Sequence, residues 1–324
     1  MIPLRSLALL ALWSGSAYGG SVGDWLMRIN DASADLSYQG VFVYSYGSTL
    51  ETMQVAHRVD DGVVRERIYS LNGAPREIIR DAEQVWCYVP DQKMGVHEFR
   101  QVPKQNFTNM LPERIDRLTD NYSLTLGRED RIADRISQQI LISPRDEYRY
   151  GYELWADKET GLLLKASLVT NVGEPIEQYM FTHVSIGGTI DSTHLEPNTV
   201  KEKLEWFRPH DNPAAMDRIN VVNPGWVISS LPDGFDVSRQ IRRISPINKR
   251  LMEHYVYSDG LAVVSVFIEK LDGEEQTPVV DGLNRIGAVH AFGHTRDGYH
   301  ITVVGGVPSR TVDMIGTSVR KILE

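Results

Sequence analysis

Cysteine is nearly absent from this sequence, which contains Cys87 alone among 324 residues. A single cysteine excludes an intramolecular disulfide and any zinc or iron–sulfur site built from thiolates. Because Cys87 lies in the strand-like run Gln84–Val89, we predict a buried, inert thiol. Basic residues are also in the minority: 34 Lys and Arg stand against 43 Asp and Glu, so the formal net charge is −9. That balance argues against nucleic-acid binding, which needs a basic surface to neutralise phosphates.

Long apolar runs are missing as well. The apolar run Leu7–Trp13 near the N-terminus falls well short of the ~20 residues that a membrane-spanning helix needs. It follows Arg5 and precedes small residues up to Gly19, which is the pattern of a secretory signal peptide. We therefore predict a signal peptide over residues 1–19 and an exported, soluble mature chain. No cysteine stands beside the cleavage site to carry a lipid anchor.

Enzyme signatures are a further absence. The sequence has no P-loop, no dinucleotide-binding glycine pattern and no Gly-x-Ser-x-Gly elbow. The carboxylate pairs Glu129–Asp130 and Glu274–Glu275 fall in turn-like or loop-like runs, which indicates solvated surface pairs rather than an acid/base dyad. The sequence therefore predicts a binding or regulatory protein without a cofactor, and not an enzyme.

Three histidines in the C-terminal part, His290, His294 and His300, are the best metal candidates. The segment resembles a strand, along which four residues span about 13 Å at ~3.3 Å per residue, too far for one ion to bridge. If Asp297–Gly298 is the hairpin turn, His300 pairs with Thr295 and faces away from His294. We predict no metal site.

Most of the sequence consists of short strand-like runs separated by turn signals. A helix near the start places Trp25, Leu26, Ile29 and Ala32 on one face. We expect an α+β protein in which about ten antiparallel strands form a large N-terminal sheet that curls into a half-open barrel. Short helices are predicted at Pro112–Leu118 and Pro308–Leu323. The predicted domains are 20–195 and 219–324, joined by a proline-punctuated linker over 196–218.

The curled sheet offers a candidate ligand cavity. Its apolar inward-facing side chains could line a space of lipid size, or they could simply form a filled core, and the sequence leaves both readings open. The candidate lining residues are Phe42, Met53, Val55, Ile68, Ile78, Trp86, Leu154, Leu163 and Phe181.

The sequence resembles the RseB/MucB family of periplasmic regulators along nearly the whole predicted mature chain. Each matching segment alone is an ordinary strand-and-turn sequence, but their order across both predicted domains makes the resemblance specific. The segments are Tyr38–Tyr44, His57–Val59, Val64–Ile68, Leu71–Ala74, Ser143–Asp146, Arg149–Leu154, Thr160–Leu162, Leu231–Phe235, Gly260–Ala262, Ser265–Glu269, Ile301–Gly305 and Val307–Pro308.

The resemblance implies a large N-terminal domain with the half-open barrel of periplasmic lipoprotein carriers, followed by a smaller C-terminal domain. It also implies a periplasmic partner, the exposed part of a membrane-spanning anti-sigma factor, which family members shield from proteolysis in the envelope-stress response. Release would follow binding of lipid A, lipopolysaccharide or lipoprotein acyl chains. The sequence departs from the family at Gly306, where we expect an acidic residue, and in the Gly273–Gly282 loop, which affects the expected partner contacts.

Two functions follow as hypotheses. The first is the non-enzymatic regulator that the resemblance implies, and the acidic charge of the chain would favour a basic partner segment. The second is a periplasmic lipid or lipoprotein carrier that uses the same half-barrel. A homo-oligomer is left open by the sequence.

Overall fold

The computed structural model describes residues 20–99, 111, 115–199, 204–208, 219–220, 225–244, 251–271 and 280–322. The predicted signal peptide, parts of the predicted linker and the pair Glu274–Glu275 lie outside these residues. In the ranges that the structure describes, no helix combines the length and apolarity that a bilayer crossing requires.

A large sheet occupies the N-terminal part of the described chain. Its order is β12-β6-β5-β4-β3-β2-β1-β11-β10-β9-β8-β7, antiparallel except where β12 joins β6 in parallel. Its strands are β1 (Tyr38–Tyr46), β2 (Thr49–Asp60), β3 (Val63–Ser70), β4 (Glu77–Arg80), β5 (Gln84–Val89), β6 (Met94–Phe99), β7 (Tyr122–Ile132), β8 (Arg135–Pro144), β9 (Gly151–Asp157), β10 (Leu163–Val169), β11 (Pro175–Ile186) and β12 (Glu205–Phe207).

The large sheet is open, because its end strands β12 and β7 are not paired with each other. Strands β7 and β11 stand four places apart in the sheet yet approach each other, so this end of the sheet curls. Helix α1 (Val22–Asp35) lies against β7 and β10 and fills the curl. The helix starts at a capping box between Ser21 and Asp24, and it buries the four apolar residues that its periodicity predicts.

A second sheet forms the C-terminal part, in the order β13-β15-β16-β17-β20-β19-β18. Its strands are β13 (Ile219–Asn220), β15 (Asp236–Ile244), β16 (Leu251–Ser258), β17 (Val263–Lys270), β18 (Gly282–Ile286), β19 (Val289–Arg296) and β20 (Tyr299–Gly305). Helix α3 (Ser309–Ser318) packs on β19 and β20. A separate two-stranded ribbon pairs β14 (Trp226–Ile228) with β21 (Val319–Lys321).

Both short helices predicted from the sequence have different bounds in the structure. The helix predicted over Pro308–Leu323 ends at Ser318, because Val319–Lys321 leaves the helix to pair with β14. The helix predicted over Pro112–Leu118 is instead a 3-10 turn at Ile115–Arg117 followed by α2 (Leu118–Asn121). Residues 112–114 lie outside the described residues.

The carboxylates Glu129 and Asp130, expected in a turn-like run, lie in strand β7. This strand ends the sheet and is largely exposed, so charged residues are tolerated along it and mask its strand pattern. The β19–β20 hairpin, in contrast, has the predicted register. His300 pairs with Thr295, and Asp297 and Gly298 form the turn with φ of 50° and 75°.

Replacing Ile315 by alanine should lower the free energy of unfolding by about 2–4 kcal/mol, because its fully buried side chain would leave a cavity under α3. The matched control is Ile286→Ala, since that isoleucine is 82% exposed, and its loss should stay below about 1 kcal/mol. Urea denaturation measures both. Equal losses would contradict the packing of α3 on the second sheet.

Candidate functional site

The predicted cavity residues lie largely on one face of the large sheet. Phe42 pairs with Met53, and Val55 pairs with Ile68, so these side chains project to the same side of their strands. Seven of the nine belong to one cluster of buried apolar residues: Phe42, Met53, Val55, Ile68, Leu154, Leu163 and Phe181.

Ile78 and Trp86 differ from the other seven. Ile78 pairs with Ile68 on one side and Cys87 on the other, so it shares the face but is only half-buried. Trp86 pairs with Ile79 and therefore projects from the opposite face, where its ring stacks on His97 with centroids 5.3 Å apart. The structure does not bring Trp86 together with the other candidates. Five consecutive apolar or aromatic residues in β5, Val85–Val89, hide the alternation that would have assigned its face.

Cys87 is half-buried, so the prediction of a buried thiol was too strong. Partial burial raises the pKa of the thiol, which keeps it in its protonated, less nucleophilic form.

The face of the sheet that carries Phe42, Val55 and Ile68, called the inner face below, is packed with aromatic rings. Phe42 meets Phe181 and Tyr179 edge-on at centroid distances of 5.8 and 6.1 Å, and Tyr38 meets Phe181 at 6.2 Å. These rings and helix α1 make a surface that can hold apolar groups and offers little for polar ligands. The assignment of this face to lipid binding stays a prediction.

A buried polar group continues the same face. His57 is fully buried, and its Nδ1 lies 3.1 Å from Oε2 of Glu66. Arg80 donates to the other oxygen of Glu66 at 3.0 Å, and the ring of Tyr38 stacks on His57 at 4.7 Å. The Glu66 carboxylate can be buried here because its contacts with His57 and Arg80 replace the hydrogen bonds that it would make to water.

The junction between the two sheets is built around Arg149, whose side chain is fully buried. Arg149 lies between β8 and β9 and donates to Oδ2 of Asp259, in the β16–β17 turn, at 2.6 Å. It also donates to the carbonyl oxygen of Asp233 at 2.5 Å and to the carboxylate of Asp146. The hydroxyl of Tyr122 donates to the same Asp259 oxygen at 2.9 Å. Both sheets therefore share one buried ion pair.

Neighbouring groups keep Arg149 positively charged and the Tyr122 hydroxyl protonated. Burial opposes the positive charge of Arg149, but hydrogen bonding to Asp146 and the charge of Asp259 outweigh it and raise the pKa of the guanidinium. Burial, and then the Asp259 carboxylate, raise the pKa of Tyr122, so its hydroxyl stays a donor.

Further contacts close the junction on either side of the ion pair. Thr311 of α3 donates to the carbonyl oxygen of Tyr148 at 2.7 Å, and the amide of Ala288 donates to Glu177 at 2.7 Å. Gly234 has φ of 80°, a left-handed backbone conformation that favours glycine, and a Cβ there would meet the Asn121 side chain.

Sequence reasoning missed this junction. Acidic and basic residues interleave with aromatic ones around Arg149, and that pattern indicates an exposed sheet surface. The segments that resemble the family offered a better indication of this junction. Three of them, Arg149–Leu154, Leu231–Phe235 and Gly260–Ala262, meet or flank the ion pair in the structure.

Replacing Arg149 by methionine should lower the free energy of unfolding by about 3–5 kcal/mol, because it leaves the Asp259 carboxylate buried without its partner. The control is Arg145→Met, an exposed arginine four residues away, which should cost less than about 1 kcal/mol. Adding Asp259→Asn to Arg149→Met should recover part of the loss. Thermal or urea unfolding without a difference between the two arginine variants would contradict the assignment.

Comparison with known proteins places this architecture in a family. The sequence model of the MucB/RseB N-terminal domain matches residues 21–199, and that of the MucB/RseB C-terminal domain matches 220–320. The chain is 31% identical over 327 residues to the sigma factor AlgU regulatory protein MucB of Pseudomonas aeruginosa, covering 98% of each chain. It is 25% identical over 315 residues to the sigma-E factor regulatory protein RseB of Escherichia coli, covering 92% of this chain and 90% of RseB.

Comparison with solved structures also finds similarity to MucB. The crystal structure of MucB in complex with MucA(peri) is matched with a TM-score of 0.71 at 30% identity, over 94% of this chain and 100% of that one. The crystal structure of MucB is matched with a TM-score of 0.60 at 29% identity, over 94% and 99% of the two chains. The chain belongs to the MucB/RseB family.

Proposed function

We propose that this protein binds the periplasmic segment of a membrane-spanning anti-sigma factor and shields it from the protease that begins its degradation. The observation that carries the proposal is the match to MucB over both sheets, because MucB has been solved in complex with MucA(peri). The relatives are named as sigma factor regulatory proteins, which supports regulation by binding rather than catalysis.

The similarity to solved relatives supports the same function. This chain is more similar to MucB bound to MucA(peri), with a TM-score of 0.71, than to MucB solved alone, with 0.60. The buried Arg149–Asp259 pair joins the two sheets over which this similarity extends. The net charge of −9 gives an acidic surface that attracts a basic partner segment over distance.

The proposal includes export to the periplasm, with residues 1–19 as a cleaved signal peptide. It also includes a division into an N-terminal domain over 20–195, a linker over 196–218 and a C-terminal domain over 219–324. The two family matches, over 21–199 and 220–320, support that division.

The proposal also includes binding of lipid by the large sheet. The large sheet is open and curled, and its inner face is apolar and aromatic, which are the properties that a half-open lipoprotein-carrier barrel needs. Acyl chains of lipid A, lipopolysaccharide or lipoproteins would enter beside Phe42, Phe181 and the other inner-face residues, while Trp86 faces the other way. A pure lipid carrier with the same sheet is the competing function.

The test incubates the mature protein with the periplasmic domain of the cognate anti-sigma factor and the protease that cleaves it. At saturation the protein should slow cleavage at least about tenfold, since a bound segment is withheld from the protease. Cleavage of an unrelated substrate by the same protease is the control. Unchanged cleavage of the anti-sigma domain, together with co-purified lipid in native mass spectrometry, would instead indicate a carrier.

A further inference from the structure

The second sheet ends in a strand whose outer edge lacks the usual protection against pairing with another chain. Strand β18 (Gly282–Ile286) is the last strand of this sheet, and among the described residues it pairs only with β19. It contains no proline, its one charged residue is Arg285, and no β-bulge interrupts its pairing with β19. Prolines, several charges or a bulge normally protect an edge strand. The outer edge of β18 is therefore open to a further strand.

The other described sheet edges are less suited to pairing. Strand β7, at one end of the large sheet, has a β-bulge between Leu126 and Glu129 and four consecutive charged residues over 128–131. Strand β12, at the other end, has three residues, and β13, at the far edge of the second sheet, has two. Among the edges that the structure describes, β18 is thus the best template for an added strand.

The turn between β18 and β19 identifies the backbone groups that point away from the sheet. Ile286 and Val289 flank the two-residue turn Gly287–Ala288, whose first residue has φ of 59°. Residues that flank a two-residue turn form a hydrogen-bonded pair, and such pairs alternate with open pairs along the two strands. The amide and carbonyl groups of Leu283 and Arg285 belong to open pairs, so they face the free edge.

The side chains of the same two residues lie on the face of the sheet that packs against α3. Leu283 pairs with Phe292, whose ring lies against α3 at Gly316, and Arg285 pairs with His290. The side chain of Leu283 is 54% exposed, so it leaves apolar surface uncovered beside Phe292. A strand added to β18 would place alternate side chains next to Leu283 and Arg285.

Arg285 is a cation that, in the part of the chain that the structure describes, has no carboxylate within ion-pair distance. Its Nε donates to the carbonyl oxygen of Gly287 at 2.8 Å, which positions the guanidinium group beside the turn. Two recesses of about 310 and 380 Å³ meet at Arg285 and Thr170. The guanidinium group is therefore accessible to a carboxylate of a partner.

The carboxylates that border these recesses do not neutralise this arginine. Glu147 forms an ion pair with Arg310. Glu177 accepts hydrogen bonds from the hydroxyl of Tyr44 at 3.0 Å and from a backbone amide at 2.7 Å. Glu174 is exposed to solvent. A partner that brings its own carboxylate would therefore gain an ion pair that the chain itself does not make.

We propose that an extended segment of the anti-sigma factor adds to β18 as a further antiparallel strand. This inference rests on the proposed function, and it names the edge that holds the segment. A segment that a protease cleaves must be accessible as unpaired chain, and such a chain can hydrogen-bond along a free sheet edge. Once paired with β18, its backbone is withheld from the protease. The antiparallel direction follows the described pairings of the second sheet.

This pairing requires a short pattern in the segment. In an antiparallel pair, the residue opposite Arg285 precedes the residue opposite Leu283 by two positions. The segment should therefore read acidic-x-apolar, with the carboxylate at Arg285 and the apolar side chain over Leu283. Hydrogen bonds to the edge supply affinity, and these two side chains set the register. The net charge of −9 still attracts basic residues elsewhere in the segment.

Fluorescence anisotropy with the labelled periplasmic domain of the cognate anti-sigma factor tests the site on the full mature protein. Leu283→Pro should weaken binding at least about tenfold, because proline removes an outward amide and blocks the edge. Arg285→Glu should also weaken it about tenfold, since attraction becomes repulsion. The matched control is Arg128→Glu on exposed strand β7, which should bind like the wild type.

Two further measurements separate loss of the edge from damage to the fold. The amide of Leu283 has no role inside the sheet, so the unfolding midpoint of Leu283→Pro should stay at the wild-type value. In the wild-type complex, hydrogen exchange at the amides of Leu283 and Arg285 should become slower, while exchange along the free edge of β7 stays unchanged. This second reading needs no substitution and holds even where Leu283→Pro fails to fold.

A charge exchange tests the role of the arginine. Among anti-sigma variants in which single acidic residues are replaced by lysine, one should restore binding to Arg285→Glu. Absence of binding by the wild type would overturn the proposed function together with this site. Tight binding by the wild type that both substitutions leave unchanged, without slower exchange in β18, would overturn the site alone.

Discussion

The buried ion pair between Arg149 and Asp259 is the interaction on which the arrangement of this protein depends. Removing two charges from water is unfavourable unless both are fully hydrogen-bonded, and here each charge is. Arg149 also meets Asp146 and the Asp233 carbonyl, while Asp259 also accepts from Tyr122 and from the amides of Leu261 and Ala262. One arginine thus fixes three loops that belong to different strands of both sheets.

Side chains alternate between the two faces of the large sheet, and the two faces differ in composition. Its inner face is an aromatic and aliphatic surface around Phe42 and Phe181 that ends in the buried His57–Glu66 pair. Its outer face carries the opposed Arg58–Arg65 pair under the Ser192–Pro197 segment. The junction at Arg149 joins the second sheet to the large one.

The sequence predicted those parts of the fold that depend on residues close together in the chain. The buried face of α1 and the register of the β19–β20 hairpin follow from helical periodicity and from the Asp297–Gly298 turn. The face of Trp86 did not follow, because its neighbours in β5 are apolar on both sides. The end of α3 did not follow either, since Val319 leaves the helix for a strand partner almost a hundred residues earlier.

Arg149 could not be predicted as a buried residue, because its partner Asp259 is 110 residues away and nothing near it in the sequence signals burial. We propose that the anti-sigma segment recognises the two sheets in the arrangement that this pair maintains. The most direct measurement is the dissociation constant of the labelled periplasmic anti-sigma segment with wild type, Arg149→Met and Arg145→Met. We expect tight binding by the wild type and by Arg145→Met, and binding at least about tenfold weaker by Arg149→Met. Equal affinity of Arg149→Met and the wild type would contradict it.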